Sequence, residues 1–530
     1  MESFDYIIVG AGSAGCVLAD RLSEGGTNTV LLLEAGRRDT YPWIHIPIGF
    51  AKTFFNEKFN WCFETAPIPG FGGRRGYAPQ GKVLGGSSSI NGLVYLRGLR
   101  EDFDHWRALG NPGWGYDDVL PYFRKSEHQE RGADSFHGVD GPLAVSDLRD
   151  PHTLNDVFIA ASREAGYRET SDFNGARPEG VGRFQMTARN GLRASTAVAF
   201  LRRAELRANF CLRTNALVET LSIDAGRVTG LRYSIGGTLR EARARHLVVL
   251  SAGALNSPTI LQRSGIGDPE VLAAAGVPLR HALPGVGKNL QDHVQARLVV
   301  ETRGMSSVNT AVRSPMALAA MGLRYALLRR GPLAYAGGQC GGLLKTMPTL
   351  DRPDIMYFVM PFSSADLRKG LDRFAGFTIA GCLQRPESRG TVTITSGAVG
   401  DAPVIAPNFL DAESDLETLV RGLRSARHIV EQAPFAGLVV REVRPGTEIQ
   451  SDDDLHDYVR ATASSVYHSA GTCRMGAGSD AVVDHRLRVH GLGGLIVADA
   501  SIMPRIVSCP TNATAIMIGE RAAGLINEDA

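Results

Sequence analysis

A histidine held in a loop of small residues suits general-base chemistry, because its unperturbed pKa of about 6.5 leaves it neutral and able to take a proton. Among the 13 histidines of this 530-residue chain, His468 has that setting. Val466-Tyr467 precede it and Ser469-Ala470-Gly471 follow, a pattern that predicts a ring fixed in a buried loop. A second constellation lies at the other end of the chain, in Gly10-Ala11-Gly12-Ser13-Ala14-Gly15. In such a turn the first glycine bends sharply, the second lets a pyrophosphate touch the backbone, and the third lets helix and strand pack closely. Glu34, followed by Ala35 and Gly36, comes about 20 residues later, where an acid accepts from ribose hydroxyls. A carboxylate there disfavours NADP, whose 2′-phosphate it would repel; NAD and FAD remain open at this point.

The elements around these residues follow from apolar periodicity. Phe4–Val9 reads as a buried strand, Cys16–Leu22 has helical spacing, and Thr29–Leu33 reads as a second strand. Together they give the strand, turn, helix and strand that a dinucleotide needs. Gly81–Gly92 is a second glycine and serine cluster, anchored by Val83-Leu84 and by Leu93–Leu96 instead of floating as a linker. Residues 210–213, 216–223 and 227–234 read as a β-meander with an Asp-Ala-Gly turn, and Leu247–Leu250 as a buried strand. Strand-like runs at 355–360, 374–382 and 390–395 have a different texture, with few glycine motifs. Met356, Phe358, Met360 and Phe362 alternate there, either as a pocket wall or as ordinary sheet core. Leu495–Asp499 reads as a strand, and Thr511-Asn512 opens an apolar helix, where both residue types also suit an N-cap.

Cofactor-type segments at both ends, with a different middle, predict an α/β chain whose Rossmann-like domain is interrupted by a substrate domain. The expected limits are 1–155, 205–300 and 455–530 for the first. They are 156–204 and 301–454 for the second, an antiparallel sheet flanked by helices. Net charge is +2 with both signs interspersed, unlike the basic stripe of a nucleic-acid binder. Seven cysteines without a CxxC fit a reducing compartment, with no disulfide framework and no metal site. No secretory signal precedes the first strand, and Pro315–Leu328, the most apolar long stretch, is too short to span a bilayer. That segment is expected to be buried, with resting on a membrane surface as the alternative, and the protein to be soluble and cytoplasmic.

Five separated segments resemble the glucose–methanol–choline flavin oxidoreductases, and the resemblance covers nearly the whole chain. They are Gly10–Gly15 with Glu34; Gly81–Gly98; Gly253-Ala254-Leu255-Asn256-Ser257-Pro258 running to Gly267; Gly287–His293; and His468–Gly476 with Asp499-Ala500-Ser501 and Asn512. The resemblance implies FAD as cofactor. Gly10, Gly12, Ser13, Ala14, Gly15, Glu34 and Ala35 would hold its ADP half, with Val218 near the adenine. Lys82, Val83, Gly85, Gly86, Asn91, Gly92 and Val94 would pass along the diphosphate and the ring, and Asp499 and Ala500 would touch the flavin end. Where some members carry a histidine bonded to the flavin, this chain has Ile90, so non-covalent FAD is expected.

The resemblance also places the family's catalytic histidine at His468, with Asn512 as its partner. His468 would take the hydroxyl proton as hydride passes to flavin N5, while Asn512 orients the alcohol oxygen and steadies the developing alkoxide. Val466, Tyr467, Met356 and Phe358 are the candidate substrate wall. The implied reaction is oxidation of a primary alcohol, aromatic and furanic ones included, to the aldehyde, with electrons passed to O2. A choline- or alcohol-type dehydrogenase using a quinone stays open, as do a hydroxynitrile-type lyase and a redox-silent FAD-binding protein.

Overall fold

The computed structural model describes residues 2–529. The opening apolar run forms β1 (Glu2–Val9), and the glycine turn delivers it into α1 (Ser13–Ser23) and then β2 (Val30–Leu33), parallel to β1. Burial on both sheet faces explains why these strands read as continuous apolar runs. Gly15 is required by packing: a Cβ there would stand 1.9 Å from the carbonyl oxygen of Gly10. On the other edge of β1, β3 (Thr238–Leu250) runs parallel and feeds α2 (Gly253–Arg263).

The seven-stranded first sheet has the order Phe210–Arg213, β2, β1, β3, Arg227–Ile235, Ala216–Asp224, with Leu495–Val497 beside β3. One expectation is corrected here. Phe210–Arg213 is no arm of a meander but lies parallel to β2, Cys211 opposite Leu31. The meander comprises 216–250 and turns at Asp224-Ala225-Gly226 as read from the sequence. The local signal for a strand was sound, but partner choice was set by the open edge of β2, whose Val30 N–H donates to the Asn209 carbonyl.

β4 (Val294–Thr302), β5 (Ile355–Met360) and β6 (Gly376–Leu383) form the centre of a second seven-stranded sheet. Its order is Val439–Arg444, β4, β6, β5, Cys340–Leu344, Gly180–Arg183, with antiparallel neighbours throughout, and Ser464–Ser465 pairs with β4. This sheet therefore draws on residues on both sides of the limits expected at 300 and 455.

A second correction concerns α3 (Pro315–Leu328), expected to be buried. Only Tyr325 of its 14 residues is buried, and Met316, Leu323 and Leu327 stand in the open. The second sheet is covered instead by α4 (Glu413–Val430), whose Leu416, Leu419, Leu423 and Ala426 pack on it and whose Gly422 carbonyl accepts from Tyr357 Oη at 2.6 Å. α5 (Thr511–Glu528) returns to the first sheet and lies along α1. A buried ion pair, Arg21 to Glu520 at 2.7 Å, fixes the two helices side by side. No helix among the described residues is long and apolar enough to cross a membrane.

Candidate active site

The carboxyl ends of β1, β2 and β3 open onto one cavity of about 1130 Å³, lined also by Ser13, Gly253 and Asn512 from the first turns of α1, α2 and α5. Each helix N-terminus carries roughly half a positive charge and free N–H groups, so this end of the cavity suits an anion. Asp499 holds α2 in place: Oδ2 accepts from the Gly253 N–H at 2.8 Å and from Ser257 Oγ at 2.5 Å, and Oδ1 from the Ser501 N–H at 2.7 Å. It follows Leu495–Val497, so the parallel sheet positions it directly.

Of the residues expected at a cofactor, Gly10, Gly12, Ser13, Ala14, Glu34, Ala35 and Val218 line the cavity at one end. Gly86, Asn91, Gly92 and Val94 line its wall, and Asp499 and Ala500 lie toward His468. Gly15, Lys82, Val83 and Gly85 do not reach it. Gly15 packs α1 on the turn, Val83 bridges to Arg37, and the Lys82 ammonium sits 4.3 Å from the centre of the Trp61 ring.

Two observations test whether these residues fit a dinucleotide. A Cβ on Gly86 would come within 2.7 Å of Gly12 Cα, so the two glycine turns touch through bare backbone. A Cβ on Gly12 would meet nothing closer than Ser251 O at 3.9 Å, so the turn faces open space that a side chain would take up. Glu34 accepts from the Ala11 and Gly36 N–H groups, each at 2.8 Å, and each oxygen keeps a second lone pair. Burial pushes its carboxyl up to about 7, the state that hydroxyl donors from a ligand would reverse. The glycine turn, the acid and the helix ends fit the group.

The catalytic end is built around two imidazoles. His293 Nε2 lies 3.0 Å from both the Gln384 and the Val507 carbonyl oxygens. Carbonyls only accept, so Nε2 carries the proton. Burial pushes His293 down to about 4, so the ring is neutral and Nδ1 presents a lone pair. That Nδ1 stands 2.9 Å from His468 Nδ1, which must then donate. His468 is left with its unprotonated lone pair on Nε2. Burial, and then the neighbouring His293, hold His468 well below its ordinary value.

The loop carrying His468 is pinned as tightly. Its N–H donates to Asp292 Oδ1 at 2.7 Å, while Asp292 Oδ2 accepts from Ser465 Oγ at 2.7 Å and Ser469 Oγ at 3.2 Å. Tyr467 takes φ of 68°, a left-handed conformation that costs a bulky residue about 1–3 kcal/mol. Its N–H donates to Ser465 Oγ at 2.7 Å, which offsets part of that cost. Asn512 occupies the first turn of α5, whose N-cap is Pro510 with no side-chain capping bond, so the capping reading does not hold. Its Oδ1 accepts from Ser13 Oγ at 2.7 Å, leaving the amide N–H donors for the cavity it lines.

Val466, Tyr467 and Phe358 line the cavity, as do Met360 and Phe362. Met356 does not: it is fully buried among Phe184, Leu343 and Cys382. Period-two alternation placed it on the right face of β5, one layer too deep. Sequence reasoning gave no role to Asp292 or His293, nor to Phe54, whose ring centre lies 4.9 Å from that of Tyr467. The available signal was alternation: His293, Gln295 and Arg297 follow one another at every second position from the end of the polar Gly287–His293 stretch.

The sequence matches known proteins along most of its length. A model of the GMC oxidoreductase N-terminal region matches residues 4–295, and one of the GMC oxidoreductase C-terminal region matches 386–519. The chain is 40% identical to the alcohol dehydrogenase [acceptor] of Pseudomonas putida, over 99% of this chain and 95% of that one. It is likewise 40% identical to the oxygen-dependent choline dehydrogenase of Vibrio vulnificus (strain YJ016), over 99% and 94%. Among solved structures, pyridoxine 4-oxidase from Mesorbium loti superposes with a TM-score of 0.89 at 32% identity, covering 98% of each chain.

Proposed function

The chain belongs to the GMC oxidoreductase family, flavoproteins acting on CH–OH donors, and from that premise we propose that it oxidises a primary alcohol to the aldehyde with His468 as the general base. The observation that carries this reading is the 2.9 Å contact between the two Nδ1 atoms. The carbonyl pair at His293 Nε2 fixes its proton, His293 fixes that of His468, and a lone pair remains on a cavity-lining ring. FAD, when bound, supplies the acceptor for the carbinol hydrogen and its electron pair. His468 Nε2 takes the hydroxyl proton, and the Asn512 amide donates to the oxygen as negative charge develops on it. Phe54 and Tyr467 keep water from that point. Gly10, Gly12 and Glu34 would hold the adenosine half, and Gly86 to Val94 the remainder.

Binding of FAD is read as non-covalent, because Ile90, which lines the cavity where some members of the family carry the flavin-bonded histidine, has no nucleophile. Acid precipitation should leave the yellow colour in the supernatant; colour in the pellet overturns this. A neutral alcohol is favoured over a quaternary ammonium one. Gln295 and Arg297 line the cavity beyond His293, and the Arg297 Nε is buried without a hydrogen-bond partner. A fixed cation would meet like charge there. The reading places dioxygen as the electron acceptor. A quinone-type acceptor is the second reading, favoured by the apolar, exposed Phe55, Val312 and Leu367 among the cavity-lining residues.

The test is anaerobic mixing of purified holoenzyme with benzyl alcohol, furfuryl alcohol and choline, followed by admission of air. Bleaching by the neutral alcohols supports the reading, and bleaching by choline alone, or by none, sinks it. Rapid recolouring with peroxide assigns dioxygen, and slow recolouring assigns the quinone.

A further inference from the structure

Outside the cavity, the feature that the fold itself does not use is α3. A 14-residue apolar helix ordinarily turns its wide apolar stripe toward a core. In α3 the direction is reversed. Tyr325 alone is buried, its Oη donating to the Gly191 carbonyl at 2.9 Å, and Arg329 caps that ring at 5.1 Å. The stripe on the opposite side, Met316, Ala320, Leu323 and Leu327, follows the i, i+4, i+7, i+11 spacing of one helix face. Its three large members are 83%, 61% and 72% exposed. Such a concentration of exposed apolar side chains marks a surface that meets something apolar.

The charge around the helix says what. From position 311 to position 331 the chain carries Arg313, Arg324, Arg329 and Arg330, and no acid. Arg324 is paired with Asp150 at 2.7 Å, whereas Arg313, Arg329 and Arg330 stand exposed at the two ends of α3. A second copy docking by a two-fold axis would set this basic rim against itself. An anionic bilayer would neutralise it while burying the stripe, with the arginines reaching outward to the headgroups. The helix also adjoins the cavity: Val312, three residues before Pro315, is both exposed and part of its lining.

We propose that α3 is an interfacial docking helix that lies in the surface of an anionic phospholipid membrane, with its Met316–Leu327 stripe toward the acyl chains and the mouth of the cavity beside it. An apolar molecule dissolved in that layer would reach the cavity without crossing water. The inference rests on α3 and its charges, and stands whether or not the chemistry proposed for His468 does.

The test is flotation of holoenzyme with vesicles of phosphatidylcholine containing about a quarter phosphatidylglycerol, against vesicles of phosphatidylcholine alone. The wild type should float with the anionic vesicles, and about 0.5 M salt should weaken this. Combined Met316→Gln, Leu323→Gln and Leu327→Gln keeps good helix formers at all three positions and should weaken partition at least about tenfold. Flavin content, melting temperature and activity on a small water-soluble alcohol should be unchanged. Arg329→Gln with Arg330→Gln should abolish the preference for anionic vesicles and spare what remains. Failure of the wild type to float, or equal flotation of the triple variant, overturns the proposal. So does a concentration-dependent dimer that the triple variant dissolves while vesicles go unbound, which would assign the stripe to a second copy.

Discussion

The two ends of the cavity are made of different material. At the dinucleotide end the contact surface is backbone: touching glycine turns, helix N-termini, and one carboxylate already held by two N–H groups. At the His468 end it is side chains: two imidazoles in contact, an aspartate holding the loop, an amide and an aromatic wall. A backbone surface is placed by the local chain path and tolerates no added atom. A side-chain surface is placed by contacts between distant segments, and its members can be deleted one at a time. The comparison makes a sharp demand. Changes at the first end should cost cofactor retention and leave the rate of the loaded enzyme alone, and changes at the second should do the reverse.

The largest effect is expected at His468. His468→Ala should retain flavin yet lose about 10²–10⁴-fold in the rate of anaerobic flavin reduction, the usual share of a general base. Near wild-type reduction in stopped flow would sink the assignment. Next comes Asn512→Ala, at about 10²–10³-fold if its amide steadies the developing oxyanion. Because Ser13 Oγ holds that amide from the glycine-turn side, Asn512 is where the two ends touch. A rate loss together with flavin loss would blur the comparison, and a rate loss alone would sharpen it.

Gly86→Ala reverses the pattern. Its Cβ would collide with Gly12 Cα, and overpacking of this kind costs about 1–3 kcal/mol, or roughly 5- to 150-fold in FAD affinity. Flavin fluorescence on dilution reads the dissociation constant. The fraction still loaded should turn over at the wild-type rate; a slow loaded fraction would break the comparison from the cradle side.

The contrast also explains what the sequence made legible. β1, the glycine turn, α1 and β2 are contiguous, so thirty residues of pattern predict both the elements and their relation. His468 stood out because the apolar pair before it and the small residues after it form a local pattern that the sequence displays whatever lies across from it. The role of His293 could not be read in the same way, because it exists only where two loops meet across 175 positions. Met356 and Phe358 share a face of β5, but depth along that face depends on Phe184 and Leu343, from other strands and loops. α3 misled for a related reason: apolar composition predicts that a helix seeks an apolar partner, and says nothing of whether that partner belongs to the same chain.

The smallest effects expected are those of His293, and they separate its two consequences. Removing it with His293→Phe frees the His468 proton to sit on either nitrogen. The loss of one buried hydrogen bond is worth about 1.5 kcal/mol, hence roughly tenfold in the reduction rate, with flavin retained. The same substitution should change how stability depends on pH. His293 titrates at about 4 in the fold and about 6.5 when unfolded. Between those values the unfolded chain binds a proton that the folded chain refuses, so stability present above pH 6.5 is lost as pH falls toward 4. Asp292 works against this, because burial pushes its carboxyl up to about 6 and the folded chain gains a proton there that the unfolded chain lacks. The difference between wild type and His293→Phe removes the Asp292 contribution and leaves that of His293 together with the part of the His468 depression that His293 causes, which has the same sign. The melting temperature of the variant should fall less steeply than that of the wild type on acidification from pH 6.5 to 4.5. Parallel curves would mean that His293 is not held neutral by the fold, and the assignment of the His468 lone pair to Nε2 would go with it.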